Sequence, residues 1–232
     1  AHFQTITYTG NEASRSITNT GNSDLKPDWV WIKERNNAIS HRIFDSSRGA
    51  TKRMFSNNTD AESTQSNSLT AFNTDGFSLG DGTSVNGNSD TYVAWQWAAN
   101  GGTTSSNSDG DITSTVQANT TAGFSIVTYT GTGGFDTVGH GLTKECDLVI
   151  IKNRDTTKNW MVMHKDLTSN YNLNLNSTAA EFHFPSQTTN GGIHTPDGSG
   201  STSTTFSLGE GTSNSDNVNL TNDDLVAYCF LL

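Results

Sequence analysis

The 232 residues carry a formal net charge of −10, with 13 basic residues dispersed among 23 acidic ones. That excludes the basic face a nucleic-acid binder needs to neutralise phosphates. Apolar residues are only 31% of the chain, but they fall into short runs with five Trp and eleven Phe, so a thin folded β core is expected rather than disorder. No apolar run approaches the ~20 residues that cross a bilayer, and no signal-peptide pattern opens the chain, so membrane insertion is not expected.

In chain order the signals are strands and turns. Phe3-Gln4-Thr5-Ile6-Thr7-Tyr8 alternates, and the turn cluster Gly21-Asn22-Ser23-Asp24 follows. Asp28-Trp29-Val30-Trp31-Ile32-Lys33-Glu34-Arg35 holds a four-residue apolar run, which suits a strand covered on both faces. Ile39 to Phe44 alternates again, and Asp45-Ser46-Ser47-Arg48-Gly49 reads as a structured turn rather than a short helix over 45–52. Asn73-Thr74-Asp75-Gly76, Gly80-Asp81-Gly82 and Val85-Asn86-Gly87-Asn88 supply the positive-φ positions of hairpin turns. Tyr92 to Trp97 alternates once more.

Most of this pattern recurs. Phe3–Gly10 matches Phe124–Gly131, Asp28–Arg35 matches Asp147–Arg154, Asn57–Glu62 matches Asn176–Glu181, Phe77–Ser84 matches Phe206–Ser213, and Tyr92–Trp97 matches Leu225–Phe230. Five blocks in the same order imply an internal duplication, with the largest insertion of the second copy within 182–205. Many short strands without helical periodicity point to an all-β fold of tandem antiparallel β-sandwich units. The domain expectation is a first repeat at 1–100, a Gly/Ser/Thr/Asn-rich linker with a pairing strand at 101–122, and a second repeat at 123–232. A single pseudo-symmetric domain is the alternative.

The six histidines (His2, His41, His140, His164, His183, His194) stand in no His-Glu-x-x-His or Cys-x-x-Cys context, and a His183–His194 metal pair is outweighed by polar loop histidines. Asn107, Asp109 and Asp111 have the oxygen spacing of a calcium loop, but Ala118 stands where the bidentate Glu would be. Cys146 and Cys229 are expected as two buried thiols, with a bridge between them as the alternative. No Gly-x-Ser-x-Gly elbow and no P-loop is present. The matched acids Asp28/Asp147, Glu62/Glu181 and Asp81/Glu210 adjoin strand ends or turns and read as structural. Trp29, Trp31, Trp95 and Trp97 are replaced by Leu148, Ile150, Tyr228 and Phe230 in the second copy, which favours packing over a carbohydrate platform. Lys33/Arg35 and Lys152/Arg154 read as strand-end cations pairing with neighbouring carboxylates, and Arg48–Arg53 as a solvated basic loop. Asn57, Asn119, Asn176 and Asn219 begin glycosylation sequons at near-chance frequency. The expectation is no enzyme, no cofactor, no metal and no assigned catalytic or ligand-binding residue.

The segment from Asn107 to Gly131 resembles a stretch common in bacteriophage structural proteins, especially tail-fibre-like proteins of marine phages. Val138-Gly139-His140-Gly141-Leu142, Asp147–Arg154 and Trp160 continue the likeness. Phe44–Thr51, Phe72–Gly80 and Tyr92–Trp95 are similar in the first copy, so it covers nearly the whole chain. Cys146 stands where a proline often precedes the Asp, a position that Pro27 keeps. The resemblance implies a lectin-like jelly-roll or concanavalin-like sandwich. It further implies a non-enzymatic protein of the virion surface or tail fibre, extracellular, assembling with copies of itself as a trimer and with other virion proteins, and contacting a host surface glycan. A carbohydrate-binding module, a polysaccharide-degrading spike and a self-assembling extracellular filament or surface-layer subunit are the rivals.

Overall fold

The computed structural model describes residues 1–183, 192–194, 201–210 and 218–232. The chain is all-β and antiparallel, and it divides into two compact units. The first comprises Ala1–Asn57 and Glu62–Gly102, and the second comprises Asn58–Ala61 and Thr103–Leu232.

The first unit contains β1 (Phe3–Thr9), β2 (Arg15–Ile17), β3 (Trp29–Glu34), β4 (Arg42–Asp45), β5 (Lys52–Arg53), β6 (Ser63–Thr64), β7 (Leu69–Phe72), β8 (Phe77–Leu79), the single helical turn α1 (Thr83–Asn86) and β9 (Thr91–Trp97). Its main sheet has the order β1-β9-β3-β4, a smaller sheet the order β2-β8-β7, and β5 pairs with β6. The alternation of β1 resolves as the period of a strand requires: Ile6 and Tyr8 are buried while Phe3, Thr5 and Thr7 face solvent. Val30, Ile32, Phe44, Tyr92 and Ala94 join them in a core with Leu69, Phe77, Leu79 and Val85 from the second layer. Asn73 donates to the Gly76 carbonyl at 2.9 Å, and Gly76 sits at φ 86°, closing the hairpin between β7 and β8. Residues 45–49 form a turn, as expected, closed by Gly49 N–H on the Asp45 carbonyl at 3.1 Å. The helical turn lies instead at Thr83–Asn86, where the sequence suggested only a turn ending in Asn-Gly.

The second unit contains β10 (Ser105–Asn107), β11 (Ser114–Asn119), β12 (Phe124–Thr130), β13 (Asp136–Gly139), β14 (Leu148–Asn153), β15 (Met161–His164), β16 (Tyr171–Asn174), β17 (Phe182–His183), β18 (Ile193–His194), β19 (Thr205–Leu208) and β20 (Asp224–Phe230). Eight strands form one sheet, β10-β11-β12-β20-β14-β15-β16-β17, and β13-β19-β18 form a second. Val127, Tyr129, Val149, Ile151, Leu225 and Ala227 pack with Val138, Phe206, Leu208 and Val218 to make its core.

The central strands match between units. β1-β9-β3-β4 has the same order as β12-β20-β14-β15, and the registers agree: Phe3 faces Trp97 as Phe124 faces Phe230, and Trp31 faces Trp95 as Ile150 faces Tyr228. The difference lies at the margin. Residues 101–122, read from sequence as a linker with a pairing strand, carry β10 and β11; β11 hydrogen-bonds onto β12 and β10 onto β11, which widens the second sheet. In the first unit β1 is the edge.

Candidate functional site

Strand period 2 sends one set of side chains of β1, β9 and β3 to the core and the other set outward. In the first unit the outward set is Phe3, Trp97, Trp95, Trp29 and Trp31, and the register stacks them in cross-strand pairs. Ring centroids lie 4.6 Å apart for Phe3–Trp97, 4.7 Å for Trp29–Trp97, 5.8 Å for Trp29–Trp31 and 6.0 Å for Trp31–Trp95. All four pairs are tilted or edge-on, the arrangements that ring quadrupoles favour.

Trp29 is buried, as expected of a packing residue. Trp31, Trp95 and Trp97 are only half-buried, and Phe3 is 48% exposed. The reading of all four tryptophans as core therefore holds for Trp29 alone. Substitution by Leu148, Ile150, Tyr228 and Phe230 in the second unit suggested packing because three of the four are packed there: Ile150, Tyr228 and Phe230 are buried and Tyr228 stacks on Trp160, whereas Leu148 is half-buried; Phe124, which faces Phe230 as Phe3 faces Trp97, is buried as well.

Trp31, Trp95, Trp97 and His41 line a shallow open groove of about 360 Å³. His41 precedes β4, and its backbone N–H donates to Asn57 Oδ1 at 2.9 Å, fixing the residue beside β3. Trp31 Nε1–H donates to His41 Nδ1 at 2.9 Å. An indole nitrogen can only donate, so Nδ1 is the acceptor and the neutral imidazole carries its proton on Nε2. Burial, and then the charges of Lys33 and Arg42, lower the His41 pKa and favour this neutral form. The groove thus combines apolar ring surface with one oriented polar donor.

Other chemistry-bearing residues serve the frame. Asp28 Oδ1 accepts from Ser46 Oγ, and its Oδ2 accepts from the N–H groups of Ala99 and Gly101 at 2.8 and 2.9 Å. It clamps the chain that leaves β9, as Asp147 Oδ2 accepts from Leu232 N–H beyond β20. The basic stretch 48–53 is not a solvated loop throughout: the Arg48 side chain is fully buried, pairing with Asp45 and, at 2.8 Å, with Glu62. Of the strand-end cations, Arg154 meets Asp224 at 3.8 Å, whereas Lys33 and Lys152 donate to backbone carbonyls, Lys152 to Asn153 at 2.7 Å. Lys152 is fully buried, and that burial lowers its pKa to about 8 against the opposing charge of Asp60.

Cys146 and Cys229 are free buried thiols, and burial pushes the Cys229 thiol well up. Asn107 bonds Asp109 while Asp111 turns to Thr137, accepting from its N–H at 3.0 Å and its hydroxyl at 2.8 Å. Asn219 is no glycosylation acceptor, because it is buried and its amide donates to the Gly134 carbonyl and to Asp136. His183 stacks on Tyr171 at 4.9 Å, while the side chain of His194 and most of the insertion at 182–205 lie outside the described residues. A second, polar concavity of about 230 Å³ lies in the second unit between Thr113, Thr115, Thr128, Thr130, Arg154 and Asp224, where Thr130 and Arg154 both engage Asp224.

Sequence comparison missed one pair of equivalent residues. Asn86 accepts from Asn11 N–H and donates to the carbonyls of Ala13 and Gly80, and Asn219 accepts from Thr132 N–H, so each pins the loop that follows an equivalent strand, β1 in the first unit and β12 in the second. Tyr8 and Tyr129 donate to the carbonyls of the residues just before them, Val85 at 2.8 Å and Val218 at 2.7 Å. The signal was the dipeptide Val-Asn at 85–86 and 218–219, too short to stand out without the fold.

The chain belongs to a family described as a domain of unknown function (DUF7483), whose model matches residues 1–231. No curated protein and no solved structure matches it.

Proposed function

We propose that the chain is a non-enzymatic module of a virion surface or tail fibre, built from two duplicated β units, that assembles with copies of itself and attaches to a host surface. The observation that carries the attachment role is the aromatic outer face of the first unit, where Trp31, Trp95, Trp97 and Phe3 remain accessible at positions whose equivalents in the second unit are buried. Accessible clustered rings mark a recognition surface more often than a structural one. The virion setting rests on the phage-like motifs along the chain. Asp28, Asp45, Arg48 and Glu62 are held in structural bonds, which supports a scaffold role.

The test is electron microscopy of particles released from cells that encode the chain, labelled with gold-conjugated antibody raised against it. Label on the outside of tailed particles is expected, together with a homo-oligomer in mass photometry of the intact parent protein. Unlabelled particles and a monomeric parent would overturn the reading.

A further inference from the structure

We propose that the groove between Trp31, His41, Trp95 and Trp97 binds a pyranose ring of an uncharged saccharide, so that the attachment role proposed above is exercised through a glycan. The proposal rests on that reading and adds the ligand class and its site.

Three features select this occupant. The groove is lined by ring surface and is concave, and the face of an indole carries partial negative charge that attracts the weakly positive C–H groups on one side of a sugar ring. A saccharide also needs a directed hydrogen bond, and His41 offers one. With Nδ1 engaged by Trp31, its Nε2–H is set as a donor to a sugar hydroxyl oxygen. The area argues against a second copy of the chain. Four side chains form a patch far below the ~800 Å² per partner that a stable protein interface buries. The buried Trp29 packs beside Trp31 and Trp97 on the same face and braces both rings, so the stacking surface is ordered before a ligand arrives.

The site was hidden in the sequence because the second copy argued against it. Ile150 and Tyr228 show that the fold tolerates other apolar residues at the positions of Trp31 and Trp95. Tryptophan is therefore not required there by the core, and its presence at two adjacent accessible positions calls for another cause.

The experiment is a titration of the intact chain with gluco-, manno- and galacto-configured neutral tetrasaccharides, read by tryptophan fluorescence and by calorimetry. At least one should give a saturable response. Trp95→Ala should weaken it by about tenfold or more, and His41→Ala, a milder change outside the strands, by about fivefold. Thermal melts of both variants show whether each is folded. A flat response of the native chain to every sugar overturns the proposal, as does a response that both folded variants retain unchanged. Concentration-dependent self-association that Trp95→Ala abolishes, without any sugar response, would make the face an interface between copies and likewise overturn it. Adsorption of the chain to intact host cells separates the two levels. If sugars fail but Trp95→Ala still loses adsorption, attachment stands and the saccharide falls. If the native chain does not adsorb at all, the attachment reading falls with it.

Discussion

Trp31 and Trp95 in the first unit, and Ile150 and Tyr228 in the second, occupy the same places in the same strand pairing. The first pair is half-buried and the second is buried. The contrast extends to the polar residues. Asp45 at the end of β4 and Arg48 in the loop after it form a buried cluster with Glu62 from ahead of β6, whereas the loop after β15 carries the solvent-facing pair Lys165–Asp166, with His164 3.8 Å from Asp166. The buried strand-end lysine, conversely, is in the second unit. Equivalent backbones thus fix where a side chain points but not what it meets, and each unit spends its charged and aromatic residues differently on a shared frame.

The largest test of this contrast is at the buried cluster. Arg48→Met leaves Asp45 and Glu62 without their shared cation and should destabilise the first unit by about 3–5 kcal/mol, measured by urea unfolding. Lys165→Met, at the corresponding loop of the second unit, should leave the midpoint where it was. Equal losses would erase the distinction.

Lys152 should give the next effect, with a clear sign. Its pKa falls from 10.5 unfolded to about 8 folded, so the unfolded chain binds one more proton between those values and stability rises with pH across the window pH 8 to 10.5. The penalty is fully present below pH 8 and amounts to about 3 kcal/mol. Lys152→Met should flatten the stability–pH profile over that window, and a profile that still rises as in the native chain would place the effect elsewhere.

Asn86→Ala and Asn219→Ala probe where the units should agree. Each change removes a side chain that pins the loop after β1 or after β12, and each should cost about 1–3 kcal/mol. Amide hydrogen exchange should show residues 10–13 loosened by the first variant and residues 131–134 by the second. Loosening in only one unit would break the equivalence.

The class of fold and the positions of most strands are legible in the residues alone. Alternation in Phe3–Tyr8, strand-forming residues in Tyr92–Trp97, an Asn-Thr-Asp-Gly turn at 73–76, and apolar runs at 29–32 and 148–151 leave an antiparallel β structure as the economical outcome, because period-2 patterning buries one face and frees the other. The sequence also locates the turn at 45–49, whose Asp45 and Arg48 are local partners. What each outward face meets is set by contacts between segments far apart in the chain. Burial of Ile150 and exposure of the ring at Trp31 depend on neighbours remote in sequence, and alternation is silent about which side of a sheet is covered. The same holds for the stretch that follows Gly102, whose Ser- and Thr-rich composition suggests a linker followed by a pairing strand: β11 is that strand, bonded to β12, and β10 adds another on β11. The aromatic groove follows from that asymmetry: the register set the rings side by side, and the incomplete cover of one face left them open.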